Sequence, residues 1–228
     1  MHKLVVLTGA GMSAESGVST FRDSGGLWEG HDVMEVASPQ GFASNPSLVL
    51  DFYNQRRRQL FKVKPNFAHK AIAGLESTYD VTVITQNVDD LHERAGSSKI
   101  LHLHGELLKA RSTQNNHLTI SWEKEILLGD LAEDGAQIRP HIVSFGEPVP
   151  MLEPAIEIAE KADILLIIGT SMQVYPAASL VHYIKTGTPI YFIDPNPTVS
   201  ERDFYNLTII PEKAISGVDI LINQYLNG

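Results

Sequence analysis

Four short runs of apolar or β-branched residues punctuate the chain: Leu4–Leu7, Val81–Ile84, Ile164–Ile168 and Pro189–Ile193. Each has the length of a strand, and none alternates apolar with polar in the manner of a half-exposed sheet. The first three end in polar or glycine residues, namely Thr8-Gly9-Ala10-Gly11, Thr85-Gln86-Asn87 and Gly169-Thr170-Ser171. Helix-like stretches follow. The repetition predicts an α/β fold built on a doubly wound parallel sheet. Ligands of such sheets bind outside the carboxyl ends of the strands, so the three polar turns are expected to converge on one crevice.

Two stretches break the alternation. Residues 25–67 read as loop and helix, and from Ser47 to Phe61 apolar Leu48, Phe52 and Leu60 are mixed with the arginines Arg56, Arg57 and Arg58. Residues 109–139 read as polar and irregular, with Ser112-Thr113-Gln114-Asn115-Asn116, a short strand over His117–Ser121 and an acidic loop at Glu133-Asp134-Gly135. Both are expected to be insertions forming a smaller lobe above the crevice. Residues 1–24, 68–108 and 140–228 then make the larger part of one domain spanning 1–228. No internal repeat or low-complexity tract interrupts it.

Composition narrows the partners. The 228 residues hold 18 Lys and Arg against 27 Asp and Glu, so the formal charge is 18 − 27 = −9. That balance disfavours nucleic acid, whose phosphates require basic surface, and suits basic peptides. With no cysteine, disulfides, thiolate metal sites and a cysteine nucleophile are excluded. No apolar run approaches the roughly 20 residues of a membrane span, and Met1-His2-Lys3 leads into the first strand without a secretory cleavage pattern. The expectation is a cytoplasmic protein with no membrane partner. No heptad seam or apolar edge commits it to an oligomer, so a monomer is expected.

Candidate chemistry clusters at the strand ends. Gly9-Ala10-Gly11-Met12-Ser13-Ala14-Glu15-Ser16-Gly17 follows the first strand. Glycine allows close backbone approach, and a helix beginning there offers unpaired N–H groups to phosphate oxygens. The spacing departs from the dehydrogenase G-x-G-x-x-G, with Ala14 where the third glycine would stand, and no G-K-[ST] follows. Phe21-Arg22-Asp23 comes soon after; Arg22 suits a phosphate, or equally a pairing with Asp23. Asp194, after the fourth strand, reads either as acceptor for both hydroxyls of an adenosine ribose, favouring NAD over NADP, or as a turn residue before Pro195. In Leu101-His102-Leu103-His104-Gly105 alternation puts two imidazoles on one strand face, and spacing does not choose between them as a base.

Several of these blocks occur together: Gly9 to Gly17 with Phe21-Arg22; Thr85-Gln86-Asn87-Val88-Asp89 with Leu91-His92; His104-Gly105-Glu106; Phe145-Gly146-Glu147; and Gly169-Thr170-Ser171 with Val174-Tyr175-Pro176-Ala177. In this order, over nearly the whole chain, they resemble the sirtuins, NAD-dependent protein lysine deacylases, and most of all the short bacterial and desuccinylase-type members. The resemblance implies a Rossmann-like domain with a small lobe of helical and zinc modules. It also implies NAD as a consumed cosubstrate, with no hydride transfer. The acyl oxygen would join C1′ of the ribose as nicotinamide leaves, and the products would be free lysine and 2′-O-acyl-ADP-ribose.

Carried over residue by residue, the resemblance selects His104 as the base and leaves His102 to packing or support. Asn87 would position the ribose and a water, Asp89 the nicotinamide carboxamide, and Gln86 a cofactor ribose. Gly9, Ala10, Gly11, Ser13, Phe21, Arg22, Gly169, Thr170, Ser171, Asp194 and Ala214, the last near a C-terminal turn, would complete the NAD site. An acylated peptide would add as a strand between Val143, Phe145, Gly146 and Glu147 on one side and the segment ending at Val174 on the other. Tyr53 and Arg56, three residues apart and so on one helix face, match the family pair that recognises succinyl, malonyl or glutaryl lysine. The plainer reading of the arginine run is a solvated basic face.

One family feature is missing. Most sirtuins hold a structural zinc with two Cys-x-x-Cys pairs, and those positions fall here on Ser112 and Asn115 and on Leu131 and Asp134. These side chains do not make a tetrahedral zinc site, and His117 and His141 have no partners at ligand spacing. No zinc is expected, and Leu118, Ile120, Trp122, Ile126 and Leu127 are expected to pack the lobe instead. Two other functions remain open to the same pocket: an NAD glycohydrolase or protein ADP-ribosyltransferase, and a non-catalytic NAD sensor.

Overall fold

The computed structural model describes residues 1–19, 27–28 (backbone only), 30–200, 202 and 204–226. Phe21 and Arg22 lie outside the described residues. In chain order the elements are β1 (Lys3–Thr8), α1 (Ala10–Ala14), β2 (Leu27–Trp28), β3 (His31–Asp32), α2 (Val33–Val36), α3 (Pro39–Ser44), α4 (Pro46–Leu60), α5 (Phe67–Gly74), β4 (Asp80–Thr85), α6 (Leu91–Ala95), β5 (Ile100–His102), β6 (Gly105–Ser112), β7 (Thr119–Ser121), β8 (Ile138–Ile142), α7 (Leu152–Ala159), β9 (Ile164–Ile168), β10 (Ile190–Ile193), β11 (Leu207–Ile210) and α8 (Ala214–Leu221).

The four apolar runs are β1, β4, β9 and β10 of one six-stranded sheet, ordered β11-β10-β9-β1-β4-β5 and parallel throughout. Their uninterrupted apolarity has a direct cause. Along β1, Leu4 and Val6 enter a core with Val83, Leu166, Ile72 and Val218, while Val5 and Leu7 enter a second core with Ile84, Leu165, Phe192 and Ala155. Helices cover both faces, so both sides of each strand are apolar. A further run, Leu207–Ile210, forms the edge strand β11, which the strand pattern above omits.

The winding positions the site. From β1 the chain steps outward through β4 and β5, then returns to the other flank of β1 with β9. The order reverses between β1 and β9. There Thr8 lies level with Thr85 on one side and Ile168 on the other, so the turns beginning at Gly9, Gln86 and Gly169 leave the sheet side by side.

Helix α4 starts where Asn45 accepts the Leu48 N–H at 3.1 Å, with Pro46 in the first turn. It buries Val49, Phe52, Tyr53 and Leu60 against Val36, Leu91, Leu107 and Ile142. The three arginines part company. Arg58 is solvated with Glu125 and Asp51, while Arg57, 1 % exposed, donates to the Leu107 carbonyl and to Asn54. Arg56 is buried as well. A solvated basic face describes only Arg58.

The stretch read as irregular carries most of a three-stranded antiparallel sheet, β7-β6-β8. Its core is Leu50, Ala110, Ile126 and Ile138, with Trp122 packed alongside. The expected apolar packing is corrected here: Ile126 is buried, but Ile120 and Leu127 are exposed, at 43 % and 59 %. The strand expected at His117–Ser121 is shorter, Thr119–Ser121.

Polar bonds tie the ends that zinc would join in most sirtuins. Ser112 Oγ donates to Asp134 Oδ2 at 2.6 Å and accepts from the Gln114 and Asn115 N–H groups, and Asp134 Oδ1 accepts from Ala136. The Ser112 bond, with the Ala136 N–H, holds the Asp134 carboxyl below its usual range. Hydroxyl, amide, leucine and one carboxylate do not fit zinc, and among the described residues no three His, Asp or Glu side chains gather as for a metal. Asp134→Ala is expected to lower Tm by about 2–4 °C, the shift that loss of one such bond produces in a chain of this size. A chelator is expected to leave Tm and activity unchanged; activity lost to chelation and restored by zinc would contradict this account. Among the described residues no helix is long and apolar enough to cross a membrane.

Candidate active site

The glycine turn is shaped by its neighbour. Gly9 N–H donates to Ile168 and Gly11 N–H to the Gly169 carbonyl, at 3.0 and 2.8 Å. A Cβ on Gly11 would stand 2.6 Å from Gly169 Cα, and one on Gly9 2.7 Å from Gly169 O. Gly169 itself has φ +62°. The glycines are therefore required for two turns to interlock, a role distinct from the approach of a phosphate considered above. The helix that follows is short, Ala10–Ala14.

Beside this turn the Gln86–Asp89 loop gathers buried polar side chains. Asn87 Nδ2 donates to the Gly9 carbonyl at 3.0 Å and to Ser13 Oγ at 3.1 Å. Ser13 Oγ donates to Asp89 Oδ2 at 2.9 Å, and the Leu91 N–H donates to Asp89 Oδ1. Burial raises the Asp89 pKa, and the bonds from Ser13 and Leu91 pull against it. Gln86 Nε2 donates to Thr170 Oγ1 at 3.1 Å, joining this loop to the end of β9. Below lie Thr8, Thr85 and His92, with Thr8 Oγ1 donating to Thr85 Oγ1. Asn87, Asp89, Ser13 and Thr170 are all under 10 % exposed. A polar cleft floor is the result.

The two histidines are not placed by strand alternation, because β5 ends at His102. Each is placed by the loop instead. His104 Nδ1 bonds the Gln86 carbonyl and His102 Nδ1 the Asn87 carbonyl, both at 3.1 Å. Burial lowers the His104 pKa below 6.5, only partly offset by the Gln86 bond. Gly105, with φ +84°, turns the chain sharply from there into β6; a Cβ would lie 2.0 Å from the His141 carbonyl.

A profile of the Sir2 family matches residues 9–176. The chain belongs to the Sir2 family. It is 60 % identical over 226 residues to an NAD-dependent protein deacylase of Helicobacter pylori strain J99, covering 99 % of this chain and 96 % of that protein. Identity to a protein of the same description from Bacteroides thetaiotaomicron is 54 % over 227 residues, 97 % of each chain. The fold superposes on a solved complex of a Sir2 homologue with NAD at TM-score 0.87 and 40 % identity, covering 99 % of this chain and 90 % of that one.

The remaining expected positions in this Sir2 chain divide by environment. Asp194 Oδ1 accepts the Asn196 N–H at 2.9 Å, the turn geometry weighed above against a ribose contact. Ala214 opens helix α8, and the next N–H, of Ile215, donates to Glu15. Val143 N–H donates to the His104 carbonyl, and Phe145 N–H to Ala37. Phe145 and Val174 are 42 % and 41 % exposed, and Gly146 is exposed too. Ser171 and Ala10 are half-buried.

The Glu147 side chain is held by two arginines. Its carboxylate bonds Arg111 and Arg139, the shortest contact being 2.6 Å, and accepts the Ser144 N–H. Its oxygens are thus occupied by internal donors. Neither arginine was among the candidates, since 27 residues separate them in sequence; the register Arg111↔Arg139 of β6 and β8 brings them together and demands the counter-charge. The field of this ion pair network reaches Tyr53. Burial pushes the Tyr53 pKa up to about 12, while Arg56 and Arg139 draw it down and Glu147 adds to it.

Proposed function

We propose that this Sir2 chain, an NAD-dependent protein deacylase, removes succinyl and malonyl groups from protein lysines in preference to acetyl. Nicotinamide, 2′-O-acyl-ADP-ribose and free lysine are its products. The observation that carries the acidic-acyl preference is the inward, buried setting of Tyr53 and Arg56 on α4, with Arg56 8 % exposed. A buried guanidinium beside a phenol that stays protonated offers a carboxylate both charge and directed donors.

The polar floor of the cleft suits NAD. Asp89 and Asn87 present buried amide and carboxylate groups fit for a carboxamide and a ribose, and Gln86 and Thr170 flank them. NAD supplies the electrophilic ribose carbon. The chain supplies the base: a carbonyl only accepts, so His104 donates from Nδ1 and keeps its lone pair on Nε2. Its lowered pKa leaves that lone pair free at neutral pH. The acid limb of kcat/KM is therefore expected below pH 6.5, since a depressed histidine stays neutral until more acid is added. A limb above that value in the pH–rate profile would count against His104.

The test is turnover of NAD with succinyl-, malonyl- and acetyl-lysine peptides, quantifying nicotinamide and deacylated peptide together. Release is expected to require acylated peptide, in equal amounts, and to be fastest with the acidic acyl groups. Equal release without peptide would make the protein a glycohydrolase, and ADP-ribose attached to protein would make it a transferase.

A further inference from the structure

His102 and His104 grip consecutive carbonyls of the same loop through the same ring nitrogen. What differs is the far nitrogen. His102 Nε2 lies 2.7 Å from Glu93 Oε1, from helix α6, whereas His104 has no carboxylate among its partners in the described residues. The Asn87 carbonyl accepts only, so His102 Nδ1 carries a hydrogen; the Glu93 carboxylate also accepts only, so Nε2 carries one too. An imidazole with two N–H groups is a cation. We propose that His102 is a positioning residue for the deacylase reaction: held as an imidazolium by Glu93, it fixes the Asn87 carbonyl and with it the Asn87–Asp89 loop.

The surroundings support that charge. The His102 side chain is 8 % exposed and Glu93 41 %. Burial pulls the His102 pKa down, but the Glu93 bond and charge, with the Asn87 carbonyl and Glu106, outweigh it and leave it above 6.5. Burial likewise raises Glu93, and the His102 bond overcomes that to leave it lowered. Within electrostatic reach of the ring are Asp89 from the loop, His92 from α6, Glu106 from β6 and His141 from β8, while Lys109 from β6 acts on Glu93. The acids favour the cation. Lys109 is paired with Glu106 at 2.7 Å, and burial keeps His92 and His141 neutral. His102, Glu106 and His141 line one cavity of about 810 Å³.

The sign follows. A raised histidine keeps its charge below its pKa and loses it as pH rises through that value. The neutral ring keeps one N–H, on Nε2 toward the Glu93 carboxylate; the Nδ1 lone pair then confronts the Asn87 carbonyl, and the hold on Asn87 is released. The same chain thus keeps one histidine neutral for chemistry and its neighbour charged for support.

Two measurements test this on the full-length protein. NMR titration of the imidazoles is expected to place His102 above pH 6.5, and below it in Glu93→Gln, where the amide can still donate to Nε2 without imposing charge. The kinetic arm, which rests on the deacylase reading, uses NAD and a succinyl-lysine peptide. An alkaline limb of kcat/KM is expected at the His102 titration point and is expected to vanish in Glu93→Gln. His102→Ala is expected to raise KM for NAD about ten-fold with kcat within about three-fold, the base being intact. His102 titrating below 6.5 in the unaltered protein, identical alkaline limbs with and without Glu93, or a loss confined to kcat would each overturn the proposal. No turnover by the unaltered chain would instead overturn the deacylase reading, while the NMR titration still decides the charge of His102.

Discussion

Arg56→Met is expected to reduce kcat/KM for a succinyl-lysine peptide by about 10²–10³-fold while leaving an acetyl-lysine peptide within about three-fold. The asymmetry comes from what each acyl group asks of the site. A succinyl carboxylate entering a buried pocket loses its water and, without the guanidinium, has no cation to replace it. An acetyl methyl asks for no charge, and methionine fills a comparable volume. Arg56 has a neighbour of like charge with a different duty: Arg57 donates to the Leu107 carbonyl from a fully buried position, and burial lowers its pKa to about 10. Arg57→Met is therefore the contrasting variant, expected to reduce thermal stability rather than acyl selectivity. Steady-state rates with both peptides, with a thermal melt of each variant, check the assignment. An equal loss of both activities in Arg56→Met would remove Arg56 from acyl recognition.

Loss of the proposed base is the second large effect. His104→Ala is expected to lower deacylation by about 10²–10⁴-fold, the usual range for removing a positioned proton acceptor. The fold should survive, because His104 contributes one bond to the Gln86 carbonyl and is held neutral by its burial, so no charge is left stranded. NAD should still raise Tm in this variant, because Asn87, Asp89 and Ser13 are untouched. Rates with succinyl peptide and a melt with and without NAD measure the two expectations. Activity within a few-fold of the unaltered protein would transfer the role of base elsewhere.

The parallel sheet was legible because its strands are covered on both faces. Leu4–Leu7, Val81–Ile84, Ile164–Ile168 and Ile190–Ile193 carry apolar or β-branched side chains at successive positions because both faces of each strand enter a core. Their polar ends were legible too, since parallel strands must finish level for a crevice to form, and Thr8, Thr85 and Ile168 do. The antiparallel sheet was not. In β6, buried Arg111 and Ser112 interrupt any apolar pattern, and their burial depends on Glu147 and Asp134, which lie far along the chain. Edge strand β11 pairs only with β10 in the sheet and sends Ile210 and Leu207 into the two cores.

From sequence alone came the winding, the convergence of Gly9, Gln86 and Gly169, the family resemblance and the absence of thiolate ligands, because local apolar runs and residue types carry those properties. Tertiary structure decided which members of equivalent sets do what: Arg56 inward, Arg57 structural and Arg58 in water; His102 against Glu93 and His104 against the Gln86 carbonyl. Ionisation and solvation depend on what faces a group across several ångströms, and the fold brings those neighbours from positions that no local pattern connects.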